Sequence, residues 1–258
     1  MIGIETRDEL GRTDTLTADI VIGADGRRST FANHVGAATT HAATNTSAFV
    51  YGYWSDLDTN GYEWAYRPGV SAGFIPTNDG QTCVFTGAQP GDVGRGGRSV
   101  LESIIRRASP HMAARLRAAQ PPTAVRTFTG QPGHLREAWG PGWAIVGDAG
   151  SWKDPISAHG LTDAFRDAEM LATAVIAAAT GEIPEDEAFT DFEATRDRLT
   201  LPIIRAADEI AAFRWDDTRI VELLFEINAA MTDEVALIAG LEVPRTQPTV
   251  GRDLAMSA

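Results

Sequence analysis

Residues 144–172 read AIVGDAGSWKDPISAHGLTDAFRDAEMLA and combine a short apolar strand, a loop and an amphipathic helix. The strand, from Trp143 to Val146, has no polar alternation, so we expect it to be buried on both faces in a parallel sheet. The helix is expected to begin after Gly160 and to end near Gly181. Its apolar stripe is expected to pack on the sheet and contains Leu161, Ala164, Phe165, Ala168, Leu171, Ala172 and Val175. This order predicts a ligand site beyond the carboxyl end of the strand.

Asp148 stands directly after this strand. Its carboxylate can accept hydrogen bonds from a sugar-like diol, and the free N–H groups at the start of the helix can hold an anionic or electron-rich ring edge. Together these groups could hold both parts of a flavin, the sugar-like chain and the ring. Two simpler interpretations stay open: Asp148 could cap the following turn, and His159 could be a surface histidine.

The stretch contains Gly147-Asp148, then a run from Pro155 to Ala158-His159-Gly160, and then Ala164 and the pair Asp167-Ala168. This order resembles the second flavin fingerprint of the FAD-dependent monooxygenases of the aromatic-hydroxylase type, with Ala158 in place of the first glycine of a Gly-x-Gly. The resemblance implies FAD as cofactor. It also implies a set of cofactor-binding residues, namely Gly147, Asp148, Ala149, Pro155, Ala158, His159, Gly160 and Leu161.

A second motif lies upstream, where residues 18–29 read ADIVIGADGRRS. It resembles the Asp-Gly motif that the same family uses near the flavin and the nicotinamide, which adds Asp25 and Gly26 to the predicted cofactor site. Asp25 could instead be a turn former before Gly26, and Arg27 and Arg28 could be solvated surface charges. Asp25 and Asp148 are 123 residues apart, which leaves room for an inserted substrate-binding sheet.

The Gly-x-Gly-x-x-Gly turn that cradles the FAD pyrophosphate in this family does not occur before the Asp-Gly motif. Residues 1–6 already have the pattern of a strand, and residues 8–12 that of a hairpin turn. We therefore expect the chain to be the carboxy-terminal part of a longer flavoprotein, or a reading frame with an internal start. The ADP half of FAD is expected to lack its main site.

The fold class that this implies is α/β (α+β), a partial Rossmann-like FAD/NAD(P)-binding domain with an inserted antiparallel sheet and carboxy-terminal helices. Expected domains are residues 1–40 and 131–182 for the remnant FAD-binding part, 41–130 for the substrate sheet, and 183–258 for the helical region. Strands are predicted at 48–54, 63–67, 70–76, 82–88 and 125–128, with one helix at 100–117.

Aromatic residues of the predicted sheet are expected to face the flavin, although strand alternation allows only some of them to do so. These candidates are Tyr51, Tyr53, Trp54, Trp64, Tyr66 and Phe74. Trp152 is expected to face a planar substrate.

The last third of the chain is predicted to be helical. One helix starts near Glu185, carries Phe189, Phe192, Arg196, Leu199 and Ile203, and is expected to kink at Pro202. Residues 213–215 and the stripe Ile220, Leu223, Leu224 and Ile227 predict further helices.

Net charge and composition exclude some classes of binding partner. A net charge of −13 argues against nucleic acid and anionic membranes, and no run approaches the ~20 apolar residues of a membrane helix. The single cysteine, Cys83, is expected to be a buried structural thiol in a cytoplasmic protein. No metal site is expected, because His34, His41, His111 and His134 lack paired ligand spacing.

The resemblance implies that FAD is reduced by NAD(P)H and that one oxygen atom from O2 is inserted into a small aromatic or unsaturated organic substrate. No catalytic acid or base is identifiable in the sequence. Alternatives are a flavin-dependent double-bond reductase, a halogenase, or a truncated noncatalytic remnant. For the halogenase, residues 73–76 match only the Ile-Pro ending of a Trp-x-Trp-x-Ile-Pro signature. The substrate, the choice of NADH or NADPH and the oligomeric state stay open.

Overall fold

The computed structural model describes residues 3–240. Strands occur at β1 (Gly3–Arg7), β2 (Thr13–Thr17), β3 (Val21–Gly23), β4 (Thr39–Ala42), β5 (Ala48–Ser55), β6 (Glu63–Arg67), β7 (Val70–Pro76), β8 (Gln81–Ala88), β9 (Arg126–Phe128), β10 (His134–Arg136), β11 (Trp139–Gly140), β12 (Trp143–Ile145) and β13 (Ser151–Trp152). Helices occur at α1 (Thr30–Val35), α2 (Pro90–Val93), α3 (Arg98–Ala108), α4 (Pro110–Ala118), α5 (Gly160–Thr180), α6 (Glu185–Ala211) and α7 (Asp217–Gly240).

The largest sheet has five antiparallel strands in the order β6-β7-β8-β5-β9. Alternation divides its side chains between two faces. Val50 and Val84 point into a core completed by α3 and α4. Phe49 and Phe85 lie on the opposite face, towards α6 and α7. The predicted strands of this sheet are confirmed to within one residue at each end.

A smaller sheet brings the two sequence motifs together. Its order is β11-β12-β3, and β12 runs parallel to β3 with Ile145 opposite Gly23. Trp143, Ala144 and Ile145 are all buried, as their apolar run predicted. Since parallel strands end at the same edge, the segments that follow β3 and β12 leave the sheet side by side. A third sheet has the order β13-β10-β4, and β1 and β2 form the hairpin expected around residues 8–12.

The buried face of α5 is not the predicted one. Leu161 and Phe165 are 73% and 70% exposed, whereas Asp163, Arg166 and Asp167 are buried together with Met170, Leu171, Ala174 and Ala177. The helix can bury these charges because they pair with one another and with charged groups from the loop before α5 and from α7. Of the predicted stripe, only Leu171 is buried in the core, and Val175 is partly buried against it.

Two helix predictions are wrong. The helix expected over 100–117 is broken, because Ser109 has an extended backbone and its hydroxyl accepts a hydrogen bond from the N–H of Met112, which starts α4 anew. Residues 213–215 form a turn and loop between α6 and α7, where Phe213 has a positive φ of 52°. The α6 prediction is confirmed for the start of the helix at Glu185 and for its five named side chains, which are all buried. The helix continues through Pro202, and the kink expected there stays a prediction.

The stripe of α7 is confirmed at Ile220, Leu223 and Ile227, whereas Leu224 is 37% exposed. Residues 1 and 2 of the predicted first strand, and residues 241–258 of the predicted helical region, lie outside the described residues. Among residues 3–240, no helix combines the length and the apolar character needed to span a membrane.

Candidate functional site

A cavity of about 450 Å³ lies where the loop after β12 meets the start of α5, and we name it the Asp148 cavity. It gathers six of the ten predicted cofactor residues. They are Asp148, Pro155, Ala158, His159, Gly160 and Leu161. The structure therefore brings these six residues together in one concave site, built from one continuous segment of chain, and their contact with a cofactor stays a prediction.

Asp148 presents an available carboxylate to this cavity. It is half-buried, and its carboxylate accepts no hydrogen bond from any described residue, so it does not cap the following turn. Burial raises its pKa, against the opposing charges of Lys153 and Arg27. A Cβ atom added at Gly160 would lie 3.8 Å from Oδ1 of Asp148, which shows how closely the start of α5 approaches this carboxylate.

The start of α5 is also available to a ligand. His159 is its N-cap residue and provides no side-chain cap, whereas Ser29 and Ser109 do cap α1 and α4. The first N–H groups of a helix have no partner inside the helix, and they carry a partial positive charge. An electron-rich group in the cavity can therefore accept hydrogen bonds from the first turn of α5.

The loop before α5 is held by Asp154, which is buried. Its carboxylate accepts hydrogen bonds from the backbone N–H of Ser47 at 2.7 Å, from the Ser47 hydroxyl, and from the N–H of Ile156 at 3.0 Å. Burial raises the pKa of Asp154, although these hydrogen bonds oppose the shift. Asp154 thereby fixes the loop to the segment that leads into β5.

A buried network of charges lies beside the cavity. Nζ of Lys153 is 2.6 Å from Asp163, and the guanidinium of Arg166 contacts Asp163 at 3.0 Å and Asp167 at 2.6 Å. Arg166 also pairs with Glu234 of α7 at 2.7 Å. These groups account for the buried charged face of α5, because each buried charge has an opposite charge beside it.

His159 connects the cavity to this network. Its Nε2 is hydrogen-bonded to the carboxylate of Glu234, and its side chain is only 13% exposed, which rules out the surface histidine considered above. Burial alone would raise the pKa of Glu234, but the contacts with His159 and Arg166 lower it by more. The pKa of Glu234 therefore lies below its usual value.

The same cluster contains three residue types that can bind a metal. Ligand atoms of His159, Asp163 and Glu234 lie within 4.8 Å of one another. Both carboxylates already pair with cations, Asp163 with Lys153 and Glu234 with Arg166. We therefore interpret the cluster as a charge network that holds the start of α5.

Four predicted cofactor residues do not line the cavity. The carboxylate of Asp25 accepts hydrogen bonds from the Ser29 hydroxyl at 2.5 Å and from the N–H groups of Thr30 and Phe31 at 2.8 and 3.0 Å, so it holds the start of α1. Burial tends to raise its pKa, but these hydrogen bonds lower it to about 2. A cofactor contact of Asp25 stays a prediction.

The other three are Gly26, Gly147 and Ala149. Gly26 and Gly147 have positive φ angles of 80° and 60°, which glycine adopts without strain. Ala149 is fully buried and packs with Trp143 and Ile145. Their role is to shape the turns that follow β3 and β12, and direct contacts of these residues with a cofactor stay predictions.

A second cavity of about 360 Å³ lies against the face of the large sheet that carries Phe49 and Phe85, and we name it the aromatic cavity. Its lining is mainly aromatic. It consists of Arg27, Phe49, Tyr51, Trp64, Ile75, Cys83, Phe85, Phe128, Trp152, Pro155, Ile156 and Ala158. Trp152, Pro155 and Ala158 line both cavities, so the two share a wall.

The sheet aromatics divide as alternation requires. Tyr51 and Trp64 line the aromatic cavity, Trp54 and Phe74 are buried in the core on the other face, and Tyr53 is 43% exposed. Tyr66 is partly buried towards α6 and α7, and burial raises its pKa to about 12. Cys83 is only half-buried and lines the cavity, which corrects the expectation of a fully buried thiol; burial raises its pKa.

Sequence reasoning missed several residues of the site. Lys153, Asp154, Ser157 and Ala164 line the Asp148 cavity as well. Asp154 carried a usable signal, since an aspartate directly before a proline is a typical N-cap, and here its carboxylate accepts from the N–H of Ile156. Glu234 carried no local signal, because its partners lie about 70 residues earlier in the chain.

The chemistry of these residues fits a flavin. The Asp148 cavity offers an unpartnered carboxylate for the hydroxyl groups of a ribityl chain and an uncapped helix start for the electron-rich pyrimidine edge of the ring. Gly160 has no side chain that would extend from the start of α5 towards Asp148.

Comparisons with known proteins agree with this fit. The family described as FAD binding domain matches residues 4–200. No curated protein sequence matches the chain. Among similar solved structures, the flavin-dependent brominase Bmp2 has a TM-score of 0.69 and 16% identity, and the match covers 93% of this chain and 63% of that one. PqsL from Pseudomonas aeruginosa, described as a probable FAD-dependent monooxygenase, has a TM-score of 0.68 and 19% identity over 86% of this chain and 66% of that one. HpxO from Klebsiella pneumoniae, complexed with FAD and uric acid, has a TM-score of 0.63 and 17% identity over 93% of this chain and 62% of that one.

At these identities the solved structures establish a shared fold, and this chain spans 62% to 66% of their length. The family match extends over most of the chain and includes both sequence motifs. This protein therefore belongs to the FAD binding domain family, as the resemblance of its two motifs to those of FAD-dependent monooxygenases predicted.

Proposed function

We propose that this protein is an FAD-dependent oxidoreductase, and specifically an NAD(P)H-driven monooxygenase that inserts one oxygen atom from O2 into a small aromatic or unsaturated organic substrate. The observation that carries the proposal is the wall of Trp152, Pro155 and Ala158 shared by the two cavities. A ring bound on one side of this wall and a flat substrate bound on the other would be neighbours.

In this proposal Asp148 accepts hydrogen bonds from the ribityl hydroxyl groups, and the N–H groups of Gly160 and Leu161 hold the pyrimidine edge of the ring. Pro155 and Ala158 lie against the ring where it meets the aromatic cavity. Bound FAD would supply the redox chemistry, taking two electrons from NAD(P)H and passing them to O2.

The protein's own contribution is electrostatic and steric. A helix start carries roughly +0.5 elementary charge, which stabilises negative charge at the pyrimidine edge of a reduced ring. The described residues that line the aromatic cavity include no carboxylate, histidine or lysine. Its proposed part is therefore to orient the substrate and to exclude water, without proton transfer by an acidic or basic side chain.

The proposal also assigns the parts of the chain. Residues 1–40 and 131–182 would form the FAD-binding part, 41–130 the substrate part, and 183–258 the helical region. The five-stranded sheet, with its own core on α3 and α4, supports the assignment of the middle segment.

The test is oxygen transfer from labelled dioxygen. The purified chain is supplied with FAD, NADH or NADPH and a panel of small phenols, indoles and aromatic acids under ¹⁸O2, and products are analysed by mass spectrometry. We expect one ¹⁸O atom in a product whose formation depends on NAD(P)H. Saturation of a substrate double bond without ¹⁸O would instead identify a reductase, and a product that forms only with added halide would identify a halogenase; either result contradicts the monooxygenase proposal.

A further inference from the structure

Arg27 is the only ionised side chain among the described residues that line the aromatic cavity. The remaining lining is aromatic, aliphatic or weakly polar, as in Phe49, Trp64 and Ile75. A single cation in such a lining can select a ligand by its negative charge, because the other side chains provide mainly a shaped apolar surface.

The position of Arg27 is fixed by its neighbours. Its guanidinium carbon lies 5.5 Å from the ring centroid of Phe128 and 5.4 Å from that of Trp152. Its Nε donates a hydrogen bond to Oε1 of Gln131 at 3.1 Å, and the Gln131 amide donates back to the Arg27 carbonyl at 3.2 Å. The indole N–H of Trp152 donates to the carbonyl of Gln131 at 3.1 Å. A ligand would therefore meet a guanidinium that needs little reordering.

The two terminal nitrogens of the Arg27 guanidinium have no hydrogen-bond partner among the described residues. Within residues 3–240 no carboxylate lies within ion-pair distance of Arg27, and neither terminal nitrogen forms a hydrogen bond with the protein. A planar guanidinium matches a planar carboxylate through two parallel hydrogen bonds, and such a pair is stronger where aromatic walls exclude water.

We propose that the aromatic cavity takes a flat aromatic compound that carries one carboxylate, and that Arg27 selects it by pairing with that carboxylate. This inference rests on the proposed function, since it names the substrate class of the same cavity. The volume of about 360 Å³ lies at the lower end of the ~300–1,000 Å³ typical of small-molecule pockets, which favours a compound of one or two rings.

The test compares a planar acid with its neutral isostere. 2-Naphthoate and 2-naphthamide are titrated by calorimetry into the purified chain in the presence of excess FAD. We expect naphthoate to bind at least tenfold more tightly than naphthamide, and its affinity to fall with added salt. Equal affinity for the two compounds would overturn the proposal without any variant, so it stays testable even if a substitution prevents folding.

Variants then assign the effect to Arg27. Arg27→Gln is expected to weaken naphthoate roughly 10–100-fold, the range for loss of a hydrogen-bonded charge, and to leave naphthamide within about twofold. Arg28→Gln is the matched control, because Arg28 is the exposed neighbour in the same motif, and should leave both affinities unchanged. Equal weakening of both ligands by Arg27→Gln would show a packing role only. Loss of FAD affinity with naphthoate unaffected would assign Arg27 to the cofactor.

Equal weakening of both ligands by Arg27→Gln, or loss of FAD affinity with naphthoate binding unaffected, would each overturn the inference. Failure of the proposed function has a different signature, since absence of ¹⁸O transfer leaves the naphthoate and naphthamide affinities as they are.

Discussion

His159 is hydrogen-bonded to Glu234, and this contact joins the start of α5 to α7 across about 75 residues of sequence. Glu234 is buried and also pairs with Arg166. The residue that begins α5, at the edge of the Asp148 cavity, is therefore positioned by a carboxylate from the last described helix.

Replacing Glu234 by glutamine should destabilise the fold by about 3 kcal/mol. The substitution leaves the buried cation of Arg166 with less compensation, and breaking a buried ion pair typically costs roughly 3–5 kcal/mol. We expect the lower end of that range because Arg166 keeps Asp163 and Asp167. Asp233→Asn, at the exposed neighbouring position, is the control for unfolding by guanidinium chloride. A Glu234→Gln variant as stable as this control would contradict a stabilising role for the buried charge network.

Replacing Ala158 by glycine should stabilise the protein. Ala158 has a φ of 52° and a ψ of 24°, a left-handed conformation that costs a non-glycine residue about 1–2 kcal/mol. Part of the gain is offset by the greater freedom of glycine in the unfolded chain, so we expect a net increase of roughly 0.5–1 kcal/mol.

The matched control is Ala172→Gly, an exposed alanine inside α5, which should lower stability by about 1 kcal/mol. Thermal unfolding of the two variants should therefore shift in opposite directions. Destabilisation by both would show that Ala158 is not strained.

Replacing Asp25 by asparagine should make stability less dependent on pH in acid. The pKa of Asp25 is about 2 in the folded protein and 3.8 when unperturbed, so its ionised form stabilises the folded state above about pH 4. This stabilisation is lost as the pH falls towards 2. The gap in melting temperature between the wild type and Asp25→Asn should therefore be largest near neutral pH and shrink across this window. Asp19→Asn, an exposed carboxylate without a hydrogen-bond partner among the described residues, should show no such change.

The sequence predicts the large sheet well because its determinants are local. Turns at Asn60-Gly61, Pro68-Gly69 and Asn78-Gly80 separate β5, β6, β7 and β8, and strand alternation then assigns each side chain to a face. The lining of the Asp148 cavity was also predictable in large part, since it comes from one continuous segment, residues 148–164.

The buried face of α5 could not be predicted in the same way. The charges at Asp163, Arg166 and Asp167 are stable inside the protein only because Lys153 and Glu234 reach them from other elements. Helical periodicity alone places charged residues outside, so it assigned Leu161 and Phe165 to the core instead. The break at Ser109 was local and was missed: serine followed by proline is a typical helix start.

The most direct test of a flavin site at the Asp148 cavity is an equilibrium titration of FAD, followed by the visible spectrum and by quenching of flavin fluorescence. We expect saturable binding by the wild-type chain, roughly 10–100-fold weaker binding by Asp148→Asn, and unchanged binding by Asp92→Asn, an exposed carboxylate in α2. If FAD does not bind, or if Asp148→Asn binds it as tightly as the wild type, the Asp148 cavity is not the flavin site.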